Sequence, residues 1–114
     1  MNNPGVQAEH RAAQYLQQQG LKVVAQNYRS RFGEIDLIMQ DHDSLIFVEV
    51  RLRRNADFGG AAASIDTRKQ QRIIRTAQQY LSALAKLPAC RFDAVLMDDV
   101  QGKNLQWLKN AFEV

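Results

Sequence analysis

The chain has one cysteine, Cys90, in 114 residues. An intramolecular disulfide is therefore excluded, and so is any zinc site built on several thiolates. Histidine is nearly as scarce: His10 and His42 stand far apart with no metal-ligand spacing between them. Long apolar runs are missing as well. Leu45 to Val48 stops at Glu49, far short of the roughly 18 residues that a membrane span needs. The start, Met1-Asn2-Asn3-Pro4-Gly5, has neither the positive region nor the apolar core of a secretion signal, so a cytoplasmic protein away from membranes is expected. Repeats, low-complexity tracts and long linkers are absent too, and the length suits one domain spanning residues 1–114.

What is present is ordinary in bulk and uneven in detail. The composition is 46% hydrophobic and 24% charged, with a net charge of +3. Between Arg51 and Arg75, seven basic residues (Arg51, Arg53, Arg54, Arg68, Lys69, Arg72, Arg75) face only Asp57 and Asp66. That segment carries +5 and leaves −2 for the rest. Such a local concentration suits a polyanion, and it equally suits a solvated helix face.

Periodicity divides the chain into seven elements. Residues 6–19 read as a helix with Ala12, Ala13 and Leu16 on one stripe, Glu9 on the same inward side, and Gly20 at its end. Leu21 to Tyr28, Glu34 to Gln40 and Leu45 to Arg53 read as strands. Asn55 to Ser64, with Gly59-Gly60, reads as a loop. A long helix is expected from Ile65-Asp66 to about Leu87, with the stripe Ile73, Ile74, Ala77, Leu81, Leu84 and Pro88 closing it. Phe92 to Met97 and Leu105 to Leu108 complete the order αβββαββ, a mixed α/β domain.

Two of these strands carry carboxylates where strands usually have none. Gly33-Glu34-Ile35-Asp36-Leu37-Ile38 holds Asp36, and Leu45-Ile46-Phe47-Val48-Glu49-Val50-Arg51 holds Glu49. A buried charge is costly unless it is paired or bound to a metal. Pairing Ile38 with Phe47 in an antiparallel hairpin sets Leu37 beside Val48, Met39 beside Ile46 and Ile35 beside Val50. The same register sets Asp36 beside Glu49 and Glu34 beside Arg51. One face is then apolar, the other gathers the charges, and Asp41-His42-Asp43-Ser44 is left as the turn. Two adjacent carboxylates suit a hard divalent ion such as Mg²⁺, which binds through one or two acids plus water and phosphate. Glu9 could add a third acid and Arg51 a cation for a phosphate. The spacing also suits plain cross-strand ion pairs, Glu34 with Arg51 and Asp36 with Arg53.

These residues carry a resemblance. Gly33 to Ile38, followed by Phe47-Val48-Glu49-Val50-Arg51-Leu52-Arg53, looks like the YraN-like family of small bacterial proteins. That family is similar to the PD-(D/E)xK nucleases, archaeal Holliday-junction resolvases among them. Glu9 with Tyr15-Leu16 and Gly20, Asn27-Tyr28-Arg29, Lys69 to Leu81 and Cys90-Arg91-Phe92-Asp93 extend the likeness across residues 7–112. It implies a restriction-endonuclease-like three-layer α/β/α domain with a central mixed sheet. It also implies Asp36 and Glu49 as acids for Mg²⁺ or Mn²⁺, the Val50 carbonyl as a further ligand, and Glu9 as the first-helix acid. Arg51 departs from the superfamily, where lysine is usual. Arginine holds a phosphate with a bidentate fork but effectively cannot give up a proton.

The expectation is a metal-dependent endonuclease hydrolysing DNA, branched or structured. Glu9, Asp36, Glu49 and Arg51 would form the catalytic set, and Arg53, Arg54, Arg68, Lys69 and Arg72 would grip the backbone. By family analogy, a two-fold homodimer suits a duplex or a junction. The alternatives are a non-catalytic nucleic-acid-binding module that keeps the nuclease fold, and a small interaction domain.

Overall fold

A computed structural model describes residues 3–53 and 65–113. The elements run α1 (Pro4–Gln18), β1 (Lys22–Ser30), β2 (Gly33–Asp41), β3 (Ser44–Leu52), α2 (Thr67–Ser82), β4 (Cys90–Met97) and β5 (Gln106–Phe112). This is the αβββαββ order that the periodicity predicts. The five strands form one sheet in sequence order, antiparallel throughout except for the parallel pair β3–β4. A parallel pair needs a crossover connection, and α2 lies within it.

Two apolar clusters cover the two faces of the sheet. Ala8, Ala12, Ala13 and Leu16 of α1 pack with Leu37, Met39, Ile46, Val48, Val95 and Met97. Ile73 and Ala77 of α2 pack with Ile35, Ile38, Phe47, Phe92 and Phe112. The result is a five-stranded mixed sheet between two helices, compatible with a three-layer α/β/α arrangement. The alanines let α1 sit close to the strands. Its start is capped by Asn3, whose Oδ1 accepts from the Gly5 N–H at 2.8 Å, and Pro4 occupies the first turn. Gly20, at φ 98°, ends it.

Three expectations shift in detail. α2 stops at Ser82 rather than near Leu87, because the chain must double back for Cys90 to pair with Leu45. Leu84 consequently leaves the apolar stripe and stands exposed. The β2–β3 turn has two residues, not four: Asp41 pairs with Ser44, and His42 takes φ 55°. β5 runs on to Phe112, where the charged and amide residues Lys109 and Asn110 mask its pattern. Asp93, in β4, is fully buried.

Asp93 is the polar centre of the β4–β5 half. Its carboxylate accepts from Arg91 Nε at 3.0 Å, Trp107 Nε1 at 2.8 Å and the Asn110 N–H at 3.0 Å. Removing it would strand three donors, two of them fixed by the strands. Asp93→Ala is expected to lower stability by about 3 kcal/mol, since each orphaned buried donor costs about 1–3 kcal/mol. Urea unfolding measures this, and a loss below about 1 kcal/mol would contradict the account.

Candidate acidic cleft

The β2–β3 ladder follows the expected register from Asp41↔Ser44 to Leu37↔Val48 and then stops. At the next step Asp36 Oδ2, not a backbone carbonyl, accepts the Val50 N–H at 2.8 Å. The expected pairs Ile35–Val50 and Glu34–Arg51 therefore do not form as ladder pairs. On the other side of β2, Asn27 has φ 51°, between the pairs Tyr28↔Ile35 and Gln26↔Leu37. The strand twists there, and Ile35 joins Ile38 in the α2-side cluster instead of the face of Leu37. Glu34 turns to Arg29, 3.2 Å away.

The opened ladder floors a cleft of about 350 Å³. Glu9 enters it from α1, Asp36 from β2, Glu49, Val50 and Arg51 from β3, and Lys69 from α2. Asp36 and Glu49 are 8% and 4% exposed, so both carboxylates are almost out of water. Burial, then a hydrogen bond and charge from Glu49, pushes the Asp36 carboxyl up to about 9, against the opposing pull of the Val50 N–H. Glu9 lies half-buried at the rim. Its carboxyl is raised by desolvation, offset in part by hydrogen bonds with Asn27 and Asp36. Lys69 Nζ stands 2.8 Å from Glu49 Oε2.

That donor chemistry fits a hard divalent cation. Two buried carboxylates that cannot comfortably ionise side by side are what a dication relieves, and Mg²⁺ takes one or two acids and completes its shell with water and phosphate. The N–H and C=O of a strand residue point the same way, so the Val50 carbonyl shares the gap into which its N–H points. Among the described residues, no three His, Cys, Asp or Glu side chains form a complete metal cage. The set available is two acids and a carbonyl, with Glu9 at the rim.

The model of the Uncharacterised protein family UPF0102 matches residues 8–97. The chain belongs to that family. It is the YraN family that the two strand motifs resemble. A UPF0102 protein of Psychromonas ingrahamii is 54% identical over 98% of this chain and 91% of its own length. One from Nitrosospira multiformis is 50% identical over 96% and 92%, and one from Nitrosomonas europaea is 52% identical over 97% and 94%. All span the UPF0102 region that holds Glu9, Asp36, Glu49, Arg51 and Lys69.

The cationic residues expected along the backbone path divide into groups. Lys69 is not an outer contact; it sits in the cleft, paired with Glu49. Arg53 reaches the β4–β5 connection, bonding Asp98 Oδ1 at 3.0 Å, Gln106 Oε1 at 2.7 Å and the Asn104 carbonyl. Its side chain is 16% exposed, which makes it a brace rather than an open cation, and Asp36 is not its partner. Arg68 and Arg72 are exposed on α2, and Arg72 lines a shallow recess with Gly33 and Glu34 beside Lys69. Arg54 and the glycine loop fall outside the described residues. Sequence reasoning missed Arg31, which stands over the Phe32 ring together with Arg75, a member of the basic segment that continues the Lys69–Arg72 spacing on α2.

Proposed function

We propose that this UPF0102 protein is a divalent-metal-dependent, restriction-endonuclease-like enzyme that hydrolyses phosphodiester bonds in DNA. The carrying observation is the buried Asp36–Glu49 pair at the open end of the β2–β3 ladder, with cations entering from two elements. Asp36, Glu49 and the Val50 carbonyl would hold Mg²⁺ or Mn²⁺, and Glu9 would support that site from α1. When bound, the ion would supply Lewis-acid polarisation of the phosphate and activation of water.

The rest is work for the side chains. Arg51 can clamp two phosphate oxygens in its planar fork. Lys69 places a compact ammonium in the same cleft, held at Glu49, where it can donate to a third oxygen as charge builds in the transition state. The lysine usual in the superfamily at the Arg51 position thus has a counterpart on α2. Asp36 and Glu49 are almost out of water, which strengthens charge–charge contacts at the floor. Arg68 and Arg72 lie outside the cleft and would guide the backbone. A two-fold homodimer would present two clefts to a duplex or a four-way junction.

The test is a substrate panel of single-stranded, duplex, flap and four-way DNA with Mg²⁺ and with Mn²⁺. Cleavage that needs the ion and vanishes in Glu49→Ala is expected. Survival of every substrate, or cleavage unchanged by the substitution, would end the nuclease reading. Binding should weaken steeply with salt, with a log–log slope of about −3 if about four cations meet a single strand.

A further inference from the structure

The β1–β2 hairpin ends in the two-residue turn Arg31-Phe32 and bears on α2. Ser30 Oγ lies 3.1 Å from Thr76 Oγ1, a fully buried side chain, and Ser30 Oγ also accepts the Phe32 N–H at 3.0 Å. Gly33 lies so close to α2 that a Cβ there would meet the Arg72 Cβ at 3.5 Å. The tip is therefore tied to the helix through Ser30 and packs against it at Gly33. An aromatic ring fixed this way pays little ordering entropy on meeting a ligand.

The Phe32 ring is half-buried and carries the Arg31 guanidinium 4.9 Å from its centroid, with that of Arg75 at 6.0 Å. It forms one wall of an open groove of about 600 Å³ whose other walls are Arg75, Gln78, Gln79 and Ser82. The Phe32 ring, the Arg75 guanidinium and side-chain amides around one groove, with the Arg31 guanidinium over the ring, offer stacking, phosphate contact and edge hydrogen bonds together. Those are the contacts an unpaired nucleobase and its phosphate use. From this groove, Arg75, Arg72 and Lys69 step along α2 at three-residue spacing to the acidic cleft. Lys69 to Arg75 covers about 9 Å of helix, the rise of about three stacked nucleotides.

We propose that Phe32, flanked by Arg31 and Arg75, is a base-stacking subsite for an unpaired DNA strand, set about three nucleotides from the phosphate in the cleft. This deepens the proposed function, on which it rests: it names DNA with a single-stranded segment as the substrate class. Loss of one stacked base reads as about tenfold in affinity, which is about 1.4 kcal/mol.

The experiment measures fluorescence anisotropy of a labelled oligothymidine and of a blunt duplex in EDTA, so that binding is read without cleavage. Phe32→Leu is expected to weaken oligothymidine binding about tenfold and to change duplex binding less than twofold, while Phe32→Tyr keeps wild-type affinity. Arg75→Gln, at an exposed helix position, gives a second variant in the same groove and is expected to weaken the oligothymidine selectively. Equal affinity of wild type and Phe32→Leu for oligothymidine overturns the subsite, as does an equal loss for both probes or no binding by the wild type. Phe32-dependent binding in a protein that cleaves nothing would leave the subsite standing and remove the nuclease reading. Metal-dependent cleavage with Phe32-independent binding would do the reverse.

Discussion

Glu49→Gln is expected to cut single-turnover DNA cleavage by at least about 10³-fold while leaving DNA affinity in EDTA within about threefold. The substitution keeps the size of the side chain and removes a single charge from a position only 4% exposed. Two things follow in the cleft. The proposed metal site would lose one of its two buried acids, and several kcal/mol of transition-state stabilisation would go with it, each 1.36 kcal/mol being tenfold in rate. Lys69 also loses the carboxylate that holds its ammonium 2.8 Å away, so the cation is freed from the cleft floor. Affinity barely changes because the exposed arginines of α2 are untouched. A Glu49→Gln protein that retains more than about a tenth of the wild-type rate would remove Glu49 from the catalytic set.

The second large effect concerns stability and has a definite sign with pH. Asp36 has its folded-state pKa pushed up to about 9, against an ordinary value of 3.8. Between those values the folded protein binds more protons at this site than the unfolded chain does, so stability falls as pH rises through the window. Asp36→Asn should abolish that fall. An asparagine oxygen can still accept the Val50 N–H, and the amide can donate to Glu49, so the geometry has reason to persist. In EDTA, the wild type is expected to lose on the order of 4 kcal/mol between pH 5 and pH 8.5, roughly 15 °C in melting temperature, while Asp36→Asn stays level. Mn²⁺ should restore the wild type at high pH, by about 2.7 kcal/mol at a hundredfold excess over its Kd, and should do much less for the variant. Parallel pH profiles for the two proteins would show that Asp36 is not the strained group.

Much of this was legible in the residues because the signals are local. Alternation in β2 and β3 was enough to fix their register from Leu37↔Val48 to Met39↔Ile46, and to put Asp36 and Glu49 together. Where the ladder breaks was not legible. That break depends on a side chain replacing a backbone acceptor at Val50 and on the positive φ of Asn27, neither of which leaves a periodic trace. Lys69 was visible as a helix cation, but its reach to Glu49 depends on how α2 packs across the sheet. Arg53 reads as a phosphate contact in the sequence because its partners, Asp98 and Asn104 in the β4–β5 connection and Gln106 at the start of β5, lie more than forty residues away along the chain. The burial of Asp93 is not legible for a similar reason: two of its donors come from β5, which the sequence shows only in part.

The single parallel pairing in the sheet has a consequence for the order in which the molecule assembles. β1, β2 and β3 are joined by two-residue turns, so their contacts close short loops, whereas β4 can dock on β3 only after the whole connection through α2 has been placed. Contacts between distant segments form more slowly than those between neighbours. The N-terminal meander, which holds Asp36 and Glu49, is therefore expected to gather before α2 brings Lys69. During synthesis the two acids meet first, and the ammonium that pairs with Glu49 arrives late.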